Sequence, residues 1–375
     1  MLNLRKSVLA RGVKRISNAD CTPVKWSKYY SKEELLHING SEFNVYFCGS
    51  TGPVLLLIHG GGYSALTWSL FAEDITHKID CQILAVDLRG HGSTKTDDES
   101  NLSLDVLAQD IELVVSTVYG DNPLPIVLIG HSLGGAVVVE VASRISAVVG
   151  VCVIDVVEGT AIESLSSMQS ILRGRPNSFS SIEQAIQWSY RSGQTHNMEA
   201  AKVSMPGQIK NCRTNELAAR ETWDKNKLNT EIAEKVCRHS DVIREEDEDP
   251  ENETVDATKN SSPVFEVPNT SSKYTWRIDL SKTENYWIGW FKGLSQKFLN
   301  IRVPKVLLLA NIHGLDTALT VGQMQGKFQL QVLQRSGHAI HEDQPHQVAD
   351  IIAGFLVKQK LAVAKNDFTP AMPGC

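Results

Sequence analysis

Pro125-Ile126-Val127-Leu128-Ile129, then Gly130-His131-Ser132-Leu133-Gly134-Gly135, then Ala136-Val137-Val138-Val139-Glu140-Val141-Ala142-Ser143 is the stretch from which the architecture can be read. The first five residues form a short apolar run, as expected of a strand buried on both faces. Gly135 to Ser143 has the length of a helix. The junction sets Ser132 between Gly130 and Gly134, a Gly-x-Ser-x-Gly spacing in a strand–turn–helix context. A turn this tight leaves no room for side chains at the two glycines and projects the serine hydroxyl beyond the sheet. The helix start places backbone donors beside that hydroxyl. The plain alternative is a Gly-rich turn carrying an idle serine.

Outward from this turn, further apolar runs at Phe43 to Phe47, Val54 to Ile58, Gln82 to Val86 and Val149 to Ile154 read as strands. Leu104 to Tyr119 is a helix between two of them, and the alternation indicates a mostly parallel sheet flanked by helices. The pattern resumes with strands at Lys305 to Ala310 and Phe328 to Leu333. A helix from His346 to Lys358 follows, with Val348, Ile351, Ile352, Phe355 and Leu356 on one stripe.

The long interruption begins helically (Ile162 to Leu172, Ser181 to Arg191) and reads as a helical cap inserted between two strands. The expected organisation is a flexible basic N-terminus over 1–22, a first core segment over 23–157, the cap over 158–302 and a second core segment over 303–375. Within the cap, 213–273 lacks a sustained apolar period and is expected to hold a disordered acidic loop. Trp276, Tyr286, Trp287, Trp290 and Phe291 then form an aromatic cluster too dense to stay exposed.

The composition is that of an ordinary globular chain, 42% hydrophobic and 21% charged over 375 residues. Nine acids against Arg244 between Asp241 and Asp256 place a local charge of −8 there, leaving +2 on the rest of a chain whose net charge is −6. That near-neutral body argues against a nucleic-acid partner. The longest apolar run, Ala147 to Val157, includes Asp155 and is too short to cross a membrane, so no membrane partner is expected. Seven cysteines, odd in number and without a Cys-x-x-Cys pair, read as reduced thiols in a cytoplasmic or nuclear compartment. The basic, acid-poor start of the chain makes mitochondrial targeting the lesser reading.

Serine needs a base, and His338 in Ser336-Gly337-His338 fits best because it follows the Phe328–Leu333 run and returns to the same sheet edge as Ser132. His341 and His346 are rivals. The orienting acid is Asp155, closing the Val149–Ile154 run, or Asp316, in the loop after Lys305–Ala310, where the most expected acid position holds His313. Asp155 is preferred, since a carboxylate at the end of an apolar run is costly without a hydrogen-bonded partner. His59-Gly60-Gly61-Gly62 after Val54–Ile58 is the place for an oxyanion loop, with Gly61 or Gly62 joining the amide of Leu133 as donors. Asp87 reads as loop structure. These parts together describe an α/β-hydrolase fold. No metal-ligand spacing occurs, and the chemistry needs no cofactor.

Several longer strings then resemble the protein phosphatase methylesterases. They are Val54 to Ala65, the elbow, Ile154-Asp155-Val156-Val157-Glu158-Gly159-Thr160-Ala161, Leu172-Arg173-Gly174-Arg175-Pro176, Tyr274-Thr275-Trp276-Arg277, Gly322 to Gln329 and Gly337 to Asp343. The resemblance runs from about Pro23 to Cys375. It implies an α/β hydrolase that removes the methyl ester from the C-terminal leucine of the protein phosphatase 2A catalytic subunit. Ser132 would be the nucleophile, Asp155 the orienting acid and His338 the base, with the docked phosphatase helping to arrange them. Leu133 stands where many relatives carry Met. The rival readings are a small-molecule carboxylesterase, with Trp276 and Trp287 lining its pocket, and a phosphatase-binding module with vestigial catalysis.

Overall fold

In the computed structural model, which describes residues 20–221, 273–311, 315–366 and 368–370, the apolar runs become neighbours in one eight-stranded sheet. Its strands are β1 (Lys32–Ile38), β2 (Ser41–Cys48), β3 (Val54–Ile58), β4 (Gln82–Val86), β5 (Ile126–His131) and β6 (Val148–Ile154), joined late in the chain by β10 (Lys305–Leu309) and β11 (Gln329–Val332). Three short strands, β7 (Ser178–Phe179), β8 (Ile209–Asn211) and β9 (Tyr274–Trp276), lie between these groups and form a second sheet. The large sheet has the order β1-β2-β4-β3-β5-β6-β10-β11. Only β1–β2 and β2–β4 pair antiparallel.

The helices are α1 (Ser69–Lys78), α2 (Leu104–Tyr119), α3 (Leu133–Val141), α4 (Glu158–Arg173), α5 (Ile182–Ser192) and α6 (Met198–Ser204). After the undescribed segment come α7 (Glu284–Phe291), α8 (Leu294–Asn300), α9 (Thr317–Met324), α10 (Ile340–Asp343) and α11 (Pro345–Lys358). The two-residue side-chain period of β3 sorts them into layers. Val54, Leu56 and Ile58 pack into one cluster with residues of α2, α3, α7 and α8. Leu55 and Leu57 face the other way, into a cluster with α1 and α11. That is why β3, β5 and β10 are buried along their whole length. No helix among the described residues is long and apolar enough to cross a membrane.

Between β6 and β10 the chain adds α4 to α8 and the small sheet, whose own core gathers Phe179, Ile186, Met205, Ile209 and Tyr274. The insertion is thus helical with a three-stranded sheet, β7-β9-β8, that the sequence pattern does not announce. Trp287, Trp290 and Phe291 are buried, and the indole nitrogens donate to Thr283 Oγ1 and to the Leu102 carbonyl. Residues 213–221, which open the stretch without a sustained apolar period, are seated on the body: Leu217, Ala218 and Ala219 are buried, and Arg220 reaches Ser93 and Glu33. The expected acidic loop, within 222–272, and most of the basic N-terminus lie outside the described residues.

Candidate active site

The elbow has the geometry its glycines require. A Cβ at Gly130 would stand 2.2 Å from the Gly134 carbonyl oxygen, and one at Gly134 would stand 2.2 Å from that of Ile58. Between them Ser132 takes φ 52° and ψ −120°, with its amide donating to the Ile154 carbonyl at 2.9 Å. Its hydroxyl side chain lines a cavity of about 280 Å³ shared with Asp155 and His338.

Asp155 follows β6, and its own backbone is left-handed at φ 52°. One carboxylate oxygen accepts from the Ala310 amide at 2.9 Å; the other meets His338 Nδ1 at 2.8 Å. The carboxylate can only accept, so it fixes the proton on Nδ1 and leaves Nε2 as the free lone pair. Asp316, the rival acid, is spent elsewhere: it caps α9 by accepting from the Leu319 amide and also bonds the Ser295 hydroxyl. His313 is outside the described residues.

The rival histidines are equally occupied. His341 is buried against Trp68, with Nε2 at 2.9 Å from Thr67 Oγ1, and burial lowers its pKa to about 3. His346 pairs with Asp74 at the surface, 2.7 Å away.

Two further groups hold His338 in place. His131, within the elbow, donates from Nε2 to the His338 carbonyl at 2.9 Å. Burial and the neighbouring His341 and His338 rings push its pKa well down, so it is neutral and its Nδ1 is left without a partner among the described residues. Asp343 accepts from the Gly337 amide at 2.6 Å and from the His196 amide and ring, tying the His338 loop to the insertion. His131 was visible as an elbow residue; nothing in the sequence marked Asp343 apart from its place in the Gly337–Asp343 string.

On the other side of Ser132, the two candidate loop amides separate. Gly62, at φ 81°, donates its N–H to His91 Nε2 at 2.9 Å, which removes it from the donor set expected for an oxyanion. His91 can accept there because its Nδ1 faces the Arg89 carbonyl at 2.8 Å and burial lowers its pKa to about 3. No hydrogen bond engages the Gly61 amide among the described residues. Leu133, first in α3, has no intrahelical acceptor for its own amide. Asp87 is structural as expected, accepting from the amides of Ala65 and Ser93 and from Asn44 Nδ2.

Beyond Ser132, Asp155 and His338 the cavity wall is apolar at Val156, Val157, Ala161, Met168, Phe291 and Leu309 and polar at Thr160, Ser164 and Asn311. Trp276 and Trp287 do not line it. A hydroxyl, a base with its lone pair free, a carboxylate behind that base and two unengaged amides constitute the parts for acyl transfer.

Comparison with known proteins supplies the family. The Alpha/beta hydrolase family profile matches residues 55–351. A Mus musculus protein named protein phosphatase methylesterase 1 is 47% identical over 362 residues, covering 95% of this chain and 90% of its own. The chain belongs to the protein phosphatase methylesterase family of α/β hydrolases. Members of that name extend to Gibberella zeae, at 34% identity over 88% of this chain and 74% of the relative. Membership makes the protein a carboxylic ester hydrolase. Among solved structures, E-2-(acetamidomethylene)succinate hydrolase aligns with a TM-score of 0.61 at 16% identity, covering 87% of this chain and 99% of that one, a likeness of fold alone.

Proposed function

We propose that the protein removes the methyl ester from the C-terminal leucine of the protein phosphatase 2A catalytic subunit. The observation that carries this is the Asp155–His338 hydrogen bond opening onto the same cavity as Ser132, in a chain 47% identical to a named protein phosphatase methylesterase. Ser132 Oγ attacks the ester carbonyl carbon while His338 Nε2 takes the hydroxyl proton, and Asp155 stabilises the imidazolium. The amides of Gly61 and Leu133 hold the resulting oxyanion, each such donor typically contributing about 3–4 kcal/mol. Collapse breaks the bond to methoxide, which leaves as methanol with the proton from His338. Water, deprotonated by the same nitrogen, then attacks the acyl-enzyme and frees leucine carboxylate and Ser132. The apolar side chains of Val156, Val157, Ala161 and Met168 suit an aliphatic acyl side chain.

The test is methyl release from carboxymethylated phosphatase 2A core enzyme by wild type and by Ser132→Ala, with para-nitrophenyl acetate alongside. Rapid release abolished in the variant is expected. Fast acetate turnover without methyl release would leave a serine esterase of another substrate.

A further inference from the structure

A second cavity, of about 380 Å³, adjoins the oxyanion loop through Leu280 and Arg175. Its walls include Leu172, Arg175, Trp276, Ile278, Asp279 and Leu280. Leu280 marks the boundary: its side chain lies 3.6 Å from where a Cβ on Gly61 would stand and 3.0 Å from that of Gly62.

Arg175 is unlike the other half-buried arginines. Arg89, Arg144, Arg220 and Arg277 each meet a carboxylate within 3.5 Å. Among the described residues Arg175 meets none and makes no side-chain hydrogen bond. Its guanidinium lies over the Trp276 ring, 5.3 Å from the centroid, and Nη1 comes within 3.8 Å of the Gly62 Cβ position. Tyr63 lies close enough to interact with it, and Arg173, Asn177, Thr275 and Ser281 also line the cavity. Asp279, in the same cavity, is occupied by Ser281 and lies beyond ion-pair distance of Arg175. Stacking on an indole leaves the in-plane N–H donors of a guanidinium unused. Partial burial without an acceptor is costly for such a group. A planar fork of donors is shaped for a carboxylate.

We propose that Arg175 forms a subsite for an acidic side chain on the peptide that precedes the esterified residue. The inference rests on the methylesterase reading. With the ester carbonyl at Gly61 and Leu133 and the aliphatic side chain in the first cavity, a preceding chain that passes Leu280, which lies beside both loop glycines, would enter this second cavity. Three extended residues span about 10 Å, enough to bring a carboxylate from the scissile bond to Arg175.

The experiment uses the full chain carrying Ser132→Ala, so that the ester persists. Fluorescein-labelled hexapeptides ending in leucine methyl ester carry Asp or Asn at each of the three preceding positions, and binding is read by anisotropy. The expected result is a preference of about tenfold for Asp over Asn at one position, the size of a charge-assisted hydrogen-bonded pair. Arg175→Gln abolishes it, and Arg175→Lys, which keeps the charge but not the fork, retains part. No preference at any position, or one that persists in Arg175→Gln, overturns the proposal. So does loss in Arg175→Gln of a preference for free acid over ester, which would put the guanidinium on the terminal carboxylate. Methyl release from the phosphatase by the Ser132-intact protein reports separately. Asp preference without methyl release keeps the subsite and removes the substrate; methyl release without Asp preference does the reverse.

Discussion

His91 shows how a residue outside the reacting group shapes the chemistry. By accepting the Gly62 amide it fixes the backbone next to Gly61 and thereby the position of the Gly61 donor. Replacing His91 by Phe keeps a ring in place and removes the acceptor. We expect kcat on an ester substrate to fall by about tenfold, equivalent to about 1.4 kcal/mol of transition-state stabilisation, with KM changed little. His91→Gln, which retains an acceptor, recovers part of that loss; steady-state kinetics of the three proteins decide it. A fall in stability without a change in kcat would make His91 a packing residue only. The sequence drew attention to Asp87 but not to this role of His91, because nothing in it tells which way the imidazole turns. That Asp155 rather than Asp316 is the carboxylate hydrogen-bonded to His338 was legible for a physical reason: a carboxylate closing an apolar run needs a hydrogen-bonded partner. The choice between Gly61 and Gly62 was not, since it depends on one hydrogen bond from a loop 29 residues away.

At the scale of elements, β3, β4 and α2 were readable to the residue from runs of apolar side chains and from period. Strand β1 was not, although Asn39-Gly40 marks its turn: both residues have positive φ, 49° and 83°, as a tight type I′ hairpin needs. β7, β8 and β9 are too short, at two or three residues, for any periodicity to show. Their existence depends on pairing across long separations. The elbow, by contrast, is local. Gly134→Ala would drive a methyl group toward the Ile58 carbonyl, forcing β3 and α3 apart. Overpacking of this kind costs about 1–3 kcal/mol or more, so the melting temperature and the hydrolytic rate should fall together. An Ala variant that melts like wild type would mean that the two elements can separate freely.

For the whole molecule, the buried histidines set the acid limit of stability. His59, His91 and His341 have pKa values lowered by burial to about 4, about 3 and about 3, from an ordinary 6.5. The unfolded chain takes up protons that the folded one refuses, so their contribution is present above pH 6.5 and lost as the pH falls below it. Glu342 runs the other way. Buried beside Thr67, it is raised to about 7 from 4.5, and its contribution is present below pH 4.5 and lost as the pH rises through 7. Three groups outweigh one, so the melting temperature should fall between pH 6.5 and pH 5. Glu342→Gln should steepen that fall and raise stability near pH 8 relative to wild type. A melting temperature that stays level from pH 6.5 to pH 5 would contradict the burial of these rings. One local feature also bears on the molecule as a whole. Ser132 and Asp155, at the ends of adjacent strands, both hold left-handed backbone that side-chain-bearing residues adopt at a cost of about 1–3 kcal/mol each. Selection for thermostability alone would therefore drift toward glycine at these two positions, and library screens that score only survival on heating would enrich inactive protein.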